Sequence, residues 1–334
     1  MKVCVVGAGA IGGLLAVKLA FAGNVVSVID RGPHLAEIKS KGLRLRCQDG
    51  TIWKASAKGF EKAADAGEQD LVVLAVKAYD LEQVAEDLKE LLGAETMVVT
   101  VQNGIPWWYF QKEGGRFNGK RLETLDPHGI LSERIDADRI IGCVPYPAAA
   151  LAAPGVVEHV EGDRFPVGEL HGRETERAKM LSDAMIKAGF KSRVITDIRA
   201  EIWLKACGSL SFNPISALSH ATMAGICRFP ETRRLAVAMM TEAQSIASKL
   251  GIIFRHPIDR RVEAAEKVGE HKTSMLQDLE AGKPLEIEAL IGAILEMGRL
   301  TDTQTPVIES VYALVKLLDK GRQASRASAT IKPG

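Results

Sequence analysis

The stretch VCVVGAGAIGG, residues 3–13, decides the fold of this chain. Its opening apolar run, residues 3–6, predicts a strand, and GAGAIG at residues 7–12 matches G-x-G-x-x-G where a helical pattern begins. A strand, this glycine pattern and a helix in direct succession are typical of the first βαβ unit of a dinucleotide-binding fold. The alternative is a glycine-rich turn that binds no ligand.

Each glycine of the pattern has a physical task. Gly7 permits a tight turn, Gly9 lets a pyrophosphate approach the backbone, and Gly12 lets helix and strand pack closely. The helix start, with Ala10 and Ile11, offers backbone amides and a partial positive charge to the phosphates. These residues are therefore predicted to bind a dinucleotide cofactor.

Outward from this stretch, short apolar runs alternate with helical stretches up to about residue 195. The runs LVVLAV at 71–76 and MVVTV at 97–101 are continuous, as in strands that are buried on both faces. This alternation predicts a parallel, doubly wound sheet. Further strands are predicted at residues 25–29, 140–144 and 156–160, and helices at 12–22 and 173–188.

From about residue 198 the pattern becomes almost wholly helical. We therefore predict an α/β fold, with an N-terminal Rossmann-type doubly wound parallel sheet followed by an all-α C-terminal domain. The predicted domains are a dinucleotide-binding domain at residues 1–196, a helical domain at 197–320 and a frayed polar tail at 321–334.

Composition excludes several classes of protein. The 334 residues carry 43 Lys and Arg against 42 Asp and Glu, and this net charge of +1 argues against nucleic-acid binding. None of the five Cys lies in a C-x-x-C pair, which argues against a disulfide framework or a zinc site and favours a reducing compartment. No uncharged apolar run reaches the roughly 18 residues that span a membrane. We therefore expect a cytoplasmic protein without a metal or a membrane span.

Two charged residues follow the second predicted strand. Asp30 comes 18 residues after Gly12, and Arg31 follows it directly. An acidic residue near this spacing binds the ribose 2′-hydroxyl of NAD, whereas a nearby Arg suits the 2′-phosphate of NADP. The residues alone leave the choice between NADP(H) and NAD(H) open, and Arg31 could also be a solvated loop charge.

Polar residues also follow the next two strands. Lys77 comes after the run at 71–76, and Asn103 after the run at 97–101. Ligands of open α/β sheets bind beyond the carboxyl ends of the strands, where both residues are expected. The alternative for Asn103-Gly104 is a plain turn, since Asn-Gly is a common turn pair.

In the helical half, Lys205, Ser209 and Asn213 are spaced i, i+4, i+8 and form one polar stripe. Pro214 is predicted to kink or end this helix just past Asn213. A Lys in such a stripe is either a snorkelling surface residue or a buried proton donor.

A second polar segment is SMLQDLEAGKPLE, which Ser274 and Glu286 bracket. Pro284 resembles a first-turn proline, which places Glu286 and Glu288 in the opening turn of a helix. The plain alternative for both carboxylates is stabilisation of the helix dipole.

Together these segments resemble the ketopantoate reductase (2-dehydropantoate 2-reductase) family. The resemblance runs in order along nearly the whole chain, and the spacing of Ser, Asp and Glu in its last motif is the most specific part. The motifs are GAGAIG at 7–12, AVKAYD at 75–80, QNG at 102–104, WLK at 203–205 with Asn213-Pro214, and TSMLQDLEAGKPLEIEALIG at 273–292.

The resemblance implies a two-domain, NADP-dependent oxidoreductase with its active site in the cleft. It would reduce 2-dehydropantoate (ketopantoate) to pantoate, a step of pantothenate and coenzyme A biosynthesis. Matched by position, Lys205 is the general acid and Glu286 would bind substrate and orient Lys205. The other matches are substrate-binding Ser274 and Asn213, Lys77 and Asn103 near the nicotinamide and its ribose, and Arg31, which favours NADPH. Ser209 stands where the family usually has a second substrate-contacting Asn.

Three alternatives stay open. Ser209 and the long stretch 105–146 fit a reductase of another 2-oxo acid or ketone. A non-catalytic NADP(H)-binding sensor would keep the fold without turnover, and a flavin enzyme could use the same glycine pattern. The expected partner is a small 2-oxo acid, and a homodimer is left open.

Overall fold

The structure, a computed structural model, describes the backbone of residues 1–330 and the side chains of residues 1–323. The chain divides into two compact units, Met1–Ile198 and Arg199–Gly334. The first combines strands with helices and the second is helical, which confirms the predicted fold class. The functional assignment of the two predicted domains stays a prediction.

Strands and helices alternate through most of the first unit. Its strands are β1 (Lys2–Val6), β2 (Val25–Ile29), β3 (Leu43–Arg46), β4 (Ile52–Ala55), β5 (Lys58–Phe60), β6 (Gln69–Leu74), β7 (Leu92–Thr100), β8 (Ile140–Cys143), β9 (Ala148–Ala153), β10 (Val156–Glu161) and β11 (Val167–Glu169). Its α-helices are α1 (Ala10–Phe21), α2 (Gly32–Lys41), α3 (Leu81–Ala85), α4 (Ile130–Arg134) and α5 (Glu176–Lys187).

The strand that begins the glycine stretch, β1, lies inside a seven-stranded sheet of order β11-β8-β7-β6-β1-β2-β5. The pairs from β8 to β5 are parallel, and β11 pairs antiparallel with β8 at one edge. Residues 71–74 of β6 are fully buried, as the continuous apolar run predicts. The carboxyl ends of β1, β2, β6 and β7 therefore lie along one edge of the sheet.

A second sheet, which the sequence did not predict, has the order β4-β3-β10-β9. The apolar run at residues 156–160 is a strand as predicted, but it belongs to this sheet. Helix α1 packs against strands of both sheets, and seven of its twelve residues are buried. An α-helix that packs on both sides is largely apolar, and Lys18 is the one charged residue among residues 10–21.

An ion pair fastens α5 to the edge strand β11. The Glu169 carboxylate is 1% exposed and accepts hydrogen bonds from Arg177 (Nε, 2.7 Å) and from the Thr175 hydroxyl (2.5 Å). Burial alone would raise the pKa of Glu169, but the hydrogen bonds from Arg177 and Thr175 outweigh it and hold the pKa below its usual value.

The second unit consists of helices. They are α6 (Ile198–Ser219), which begins at the unit boundary, α7 (Met223–Arg228), α8 (Pro230–Lys249), α9 (Ile258–Lys267), α10 (Ser274–Glu280), α11 (Ala293–Leu300) and α12 (Pro306–Thr330), with a π-helical segment at Glu288–Gly292.

One of the two alternatives predicted for Pro214 was wrong. Helix α6 does not end at Pro214 but continues to Ser219, because residues 210–217 are buried and their packing outweighs one lost backbone hydrogen bond. The other alternative, a kink at Pro214, stays a prediction. The predicted polar tail continues α12 as far as Thr330, since Ala, Arg and Gln are good helix formers. Residues 331–334 of that tail lie outside the described residues.

Three further observations concern the described part of the chain. No helix there is long and apolar enough to cross a membrane. No group of His, Cys, Asp or Glu within it could hold a metal ion. The five cysteines are all free thiols, and burial raises the pKa of Cys4 to about 12, which makes that thiol unreactive.

Candidate functional site

The turn between β1 and α1 requires glycine at two positions. Gly7 has a φ of +91°, and a Cβ there would lie 2.8 Å from the backbone nitrogen of Val76. A Cβ on Gly12 would lie 1.9 Å from the carbonyl oxygen of Gly7. The pattern of residues 7–12 therefore encodes a tight turn with helix and strand in close contact.

The start of α1 has the form of a phosphate cradle. Gly9 is the N-cap residue and offers no side-chain cap, and a Cβ built on it meets nothing within 4 Å. The first hydrogen bond of the helix runs from the Gly13 amide to the Gly9 carbonyl, at 2.7 Å. The amides of Ala10, Ile11 and Gly12 precede that bond and have no acceptor within the helix. Amides without a helical acceptor, next to the open space at Gly9, fit the pyrophosphate of a dinucleotide.

Two side chains hold the peptide groups of Ala8 inside this turn. The Ala8 amide donates to Oδ2 of Asp30 at 2.7 Å. The Ala8 carbonyl lies 2.8 Å from Nε2 of His34. Nδ1 of His34 accepts from the Gly155 amide at 2.9 Å, so the ring hydrogen is placed on Nε2, which donates to Ala8. Asp30 and His34 thus fix the shape of the cradle.

Arg31 is engaged by the segment that follows β6. Its guanidinium donates to Oδ1 of Asp80 at 3.3 Å and to Oε1 of Gln83 at 3.2 Å. The Arg31 amide donates to Oδ1 of Asp30 at 2.7 Å. Both oxygens of the Asp30 carboxylate therefore accept backbone hydrogen bonds, and Arg31 is the side chain that projects into solvent.

Lys77 and Asn103 lie at the carboxyl ends of neighbouring parallel strands, β6 and β7. Gln102 ties these two ends together, since its amide nitrogen donates to the carbonyls of Leu74 (2.8 Å) and Val76 (3.1 Å). Lys77 and Asn103 are both half-buried. The structure thus gathers the residues predicted to bind the cofactor at one edge of the sheet.

In the second unit, α6 carries Lys205, Ser209 and Asn213 on successive turns. Lys205 and Ser209 are half-buried, and Asn213 is buried. The amide nitrogen of Asn213 donates to Oγ of Ser274 at 3.5 Å. Ser274 is the first residue of α10, which the Thr273 hydroxyl caps. Two predicted substrate-binding residues from distant parts of the sequence are thereby brought together.

The two carboxylates of the last motif have different surroundings. Glu286 is buried and lies two residues before the π-helical segment, a kind of distortion that is frequent at functional sites. Glu288 accepts hydrogen bonds from the Tyr312 hydroxyl (3.1 Å) and from Lys316 (2.6 Å), so it joins this segment to α12. The hydrogen bond to Glu288 raises the pKa of Lys316. Glu288 is therefore a structural residue.

Sequence reasoning missed two residues of the first unit. Asp80 belongs to the AVKAYD motif but was given no role, and His34 belongs to no motif. The contact of Asp80 with Arg31 bridges residues that follow different strands, and the contact of His34 with Ala8 spans the turn of the first βαβ unit. Only the folded chain reveals such pairs.

Comparisons with known proteins agree with this geometry. The family model "Ketopantoate reductase PanE/ApbA" matches residues 3–172, and its C-terminal counterpart matches residues 197–319. A 2-dehydropantoate 2-reductase of Mesorhizobium japonicum is 51% identical over 95% of this chain and 98% of its own length.

Solved structures share the fold. A crystal structure from Ralstonia solanacearum is 36% identical, with a TM-score of 0.92 over 96% of this chain and 98% of that one. The 2-dehydropantoate 2-reductase of Geobacter metallireducens is 26% identical, with a TM-score of 0.84 over 95% of this chain and 100% of that one.

These matches confirm the resemblance that the motifs indicated, and with it the prediction of an oxidoreductase. The family and the fit of the cradle to a pyrophosphate support a nicotinamide dinucleotide as the cofactor. They also support a small molecule as the substrate. The chain belongs to the ketopantoate reductase family.

Proposed function

We propose that this chain reduces the ketone of 2-dehydropantoate to the hydroxyl of pantoate, with NADPH as the reductant. The observation that carries the proposal is the 51% identity to a 2-dehydropantoate 2-reductase over nearly the full length of both chains. The similarity extends over 319 residues, which is 95% of this chain.

Lys205 is proposed as the general acid. When bound, the reduced nicotinamide supplies a hydride to the ketone carbon of the substrate. Negative charge then develops on the carbonyl oxygen, and the Lys205 ammonium donates first a hydrogen bond and then a proton to that oxygen. The products are the hydroxy acid, the oxidised nicotinamide and a neutral Lys205, which regains its proton from solvent.

The remaining polar residues are proposed to hold the substrate. The Glu286 carboxylate accepts a hydrogen bond from the substrate hydroxyl and orients Lys205. Ser209, Asn213 and Ser274 donate hydrogen bonds to the hydroxyl and carboxylate ends of the substrate. The contact between Asn213 and Ser274 supports this assignment, because it places two donors side by side.

NADPH is proposed over NADH because of the hydrogen bonds that Asp30 accepts and the exposure of the Arg31 side chain. Asp30 already accepts two backbone hydrogen bonds of 2.7 Å, which reduces its capacity for ribose hydroxyls. Arg31 presents a guanidinium that is largely exposed, and a guanidinium suits a 2′-phosphate. Lys77 and Asn103 are proposed to contact the nicotinamide and its ribose.

The test is the loss of NADPH absorbance with 2-dehydropantoate, run beside NADH and a panel of other 2-oxo acids. Turnover that is fast with NADPH and 2-dehydropantoate and slow with the other pairs is expected. Tight NADPH binding without turnover on any ketone would overturn the proposal and favour a sensor. A colourless purified protein would count against the flavin alternative.

A second candidate is the reduction of another 2-oxo acid by the same mechanism. Ser209 favours it, because the hydroxyl is shorter than the amide that the family usually has there and leaves more room. The same panel separates the two candidates. Faster turnover of a bulkier 2-oxo acid would identify that acid as the substrate and leave the proposed mechanism unchanged. A cytoplasmic location and a homodimer stay predictions.

A further inference from the structure

The ion pair between Arg31 and Asp80 joins the two sides of the dinucleotide cradle. In the sheet, β1 lies between β2 and β6. Arg31 follows β2, Asp80 follows β6, and the glycine-rich turn follows β1 between them. The contact of 3.3 Å between Arg31 and Asp80 therefore links the segments on either side of that turn.

A 2′-phosphate would compete with Asp80 for the same guanidinium. The Arg31 side chain is 68% exposed and donates to Asp80 and Gln83, so both of its terminal nitrogens already have acceptors. These contacts use two of the five N–H donors of the guanidinium, so a phosphate that binds Arg31 either displaces Asp80 or lies beside its carboxylate. Of the two acceptors, only Asp80 carries a charge, and that charge repels a phosphate wherever the phosphate sits on Arg31.

We propose that Asp80 is a specificity-determining residue, which lowers the affinity for NADPH relative to NADH by pairing with Arg31. The inference rests on the proposed cofactor site, but it holds whichever of the two cofactors the unaltered chain prefers. NADH carries a hydroxyl in place of the 2′-phosphate, so its binding brings no second anion next to the Asp80 carboxylate.

The size of the effect follows from the exposure of the pair. An exposed ion pair contributes little to stability, and two exposed charges a few ångströms apart interact weakly in water. The 2′-phosphate, however, carries close to two negative charges. The repulsion that Asp80→Asn removes is therefore about twice that between two single charges. We expect the Kd for NADPH to fall by about 3- to 10-fold in Asp80→Asn.

The experiment measures binding rather than turnover. Kd values of the unaltered protein and of Asp80→Asn are determined by calorimetry for NADPH, NADH, 2′,5′-ADP and 5′-ADP. Tighter binding of the two 2′-phosphorylated ligands, with NADH and 5′-ADP changed by less than about twofold, is expected. The gain should shrink at high salt, because the interaction is between exposed charges.

Two controls isolate the ion pair. Asp87→Asn removes an exposed negative charge farther along the same segment, and it should leave all four Kd values unchanged. In an Arg31→Ala background, Asp80→Asn should lose at least half of its effect, because a double-mutant cycle measures the coupling between the two residues.

The outcomes distinguish this inference from the proposed function. Equal gains for phosphorylated and unphosphorylated ligands, or weaker NADPH binding in Asp80→Asn, would overturn the role of Asp80 and leave the proposed function standing. An unaltered protein that prefers NADH, combined with a shift toward NADPH in Asp80→Asn, would overturn the proposed cofactor and support the role of Asp80. Failure to bind either dinucleotide would overturn both.

Discussion

Nε2 of His34 donates a 2.8 Å hydrogen bond to the carbonyl oxygen of Ala8, in the turn that forms the phosphate cradle. On the other side of the ring, the Gly155 amide donates to Nδ1. The imidazole therefore connects the dinucleotide turn to the loop between β9 and β10 of the second sheet. Its two hydrogen bonds hold a peptide group next to the amides that would face the pyrophosphate.

We predict that His34→Ala weakens the binding of NADPH and NADH alike, by about 5-fold. One lost hydrogen bond of this kind corresponds to roughly 1 kcal/mol. His34→Gln should recover part of the affinity, since an amide can also donate and accept. Fluorescence titration of both cofactors checks the prediction, with Lys39→Ala on the exposed face of α2 as the control. Unchanged Kd values with a lower Tm would leave His34 only a structural role.

Lys205→Ala is expected to lower kcat by about 100- to 1,000-fold with a much smaller change in KM. The reason is that the hydrogen bond from Lys205 to the carbonyl oxygen strengthens as charge develops there. Steady-state kinetics measure the split between kcat and KM. Lys249→Ala serves as the control, because that ammonium binds the carbonyls of Thr301 and Asp302. A raised KM with kcat intact would contradict the proposed acid.

Glu286 and Glu288 form a matched pair, two residues apart in one motif. Glu286→Gln keeps the shape of the side chain and removes its charge, so KM for the 2-oxo acid should rise by about 10- to 100-fold. Glu288→Gln should leave both kinetic constants within about twofold, since Glu288 is bound to Tyr312 and Lys316. An equal rise of KM in the two variants would show that the integrity of this segment, rather than the Glu286 carboxylate, determines substrate binding.

Glu169 is expected to make the first unit less stable in acid. Its pKa is lowered in the folded protein, so its contribution is complete above the unfolded pKa of about 4.3 and is lost as the pH falls through the folded value. Glu169→Gln should cost about 2 kcal/mol at pH 7 and progressively less below about pH 4.

Urea unfolding at several pH values measures this difference between Glu169→Gln and the unaltered protein. The control is Glu176→Gln, because the Glu176 side chain is 85% exposed and pairs with Lys179 on the surface. That variant should show no measurable change at any pH. A loss of stability in Glu169→Gln that does not depend on pH would point to packing rather than to the charge.

Much of the fold follows from local pattern, but the second sheet does not. Buried runs such as residues 71–74 are continuous and apolar, so their strands are evident in the sequence. Strand β3 is LRLR and strand β4 is IWKA, each only four residues long and partly charged. Strand β3 pairs with β10, where Arg44 lies opposite Val156. A pairing between such distant residues has no local signature.

The candidate site shows a similar division. Glycine positions are predictable because the turn permits no Cβ at Gly7 or Gly12. The stripe of Lys205, Ser209 and Asn213 is predictable because it follows the helical repeat. The contact of Asn213 with Ser274, and those of Ala8 with Asp30 and His34, depend on how separate segments meet. Their residue types alone carry no such information.

Helix α1 lies between the two sheets, and its first turn carries the amides that would face the pyrophosphate. Binding and folding are therefore linked through one element. A ligand at 100 times its Kd stabilises the folded state by about 2.7 kcal/mol. Because α1 packs against both sheets, the bound ligand stabilises both sheets together with the helix. The abundance of the dinucleotide in the cell would thus govern how long the first unit survives proteolysis, so the cofactor protects the protein that uses it.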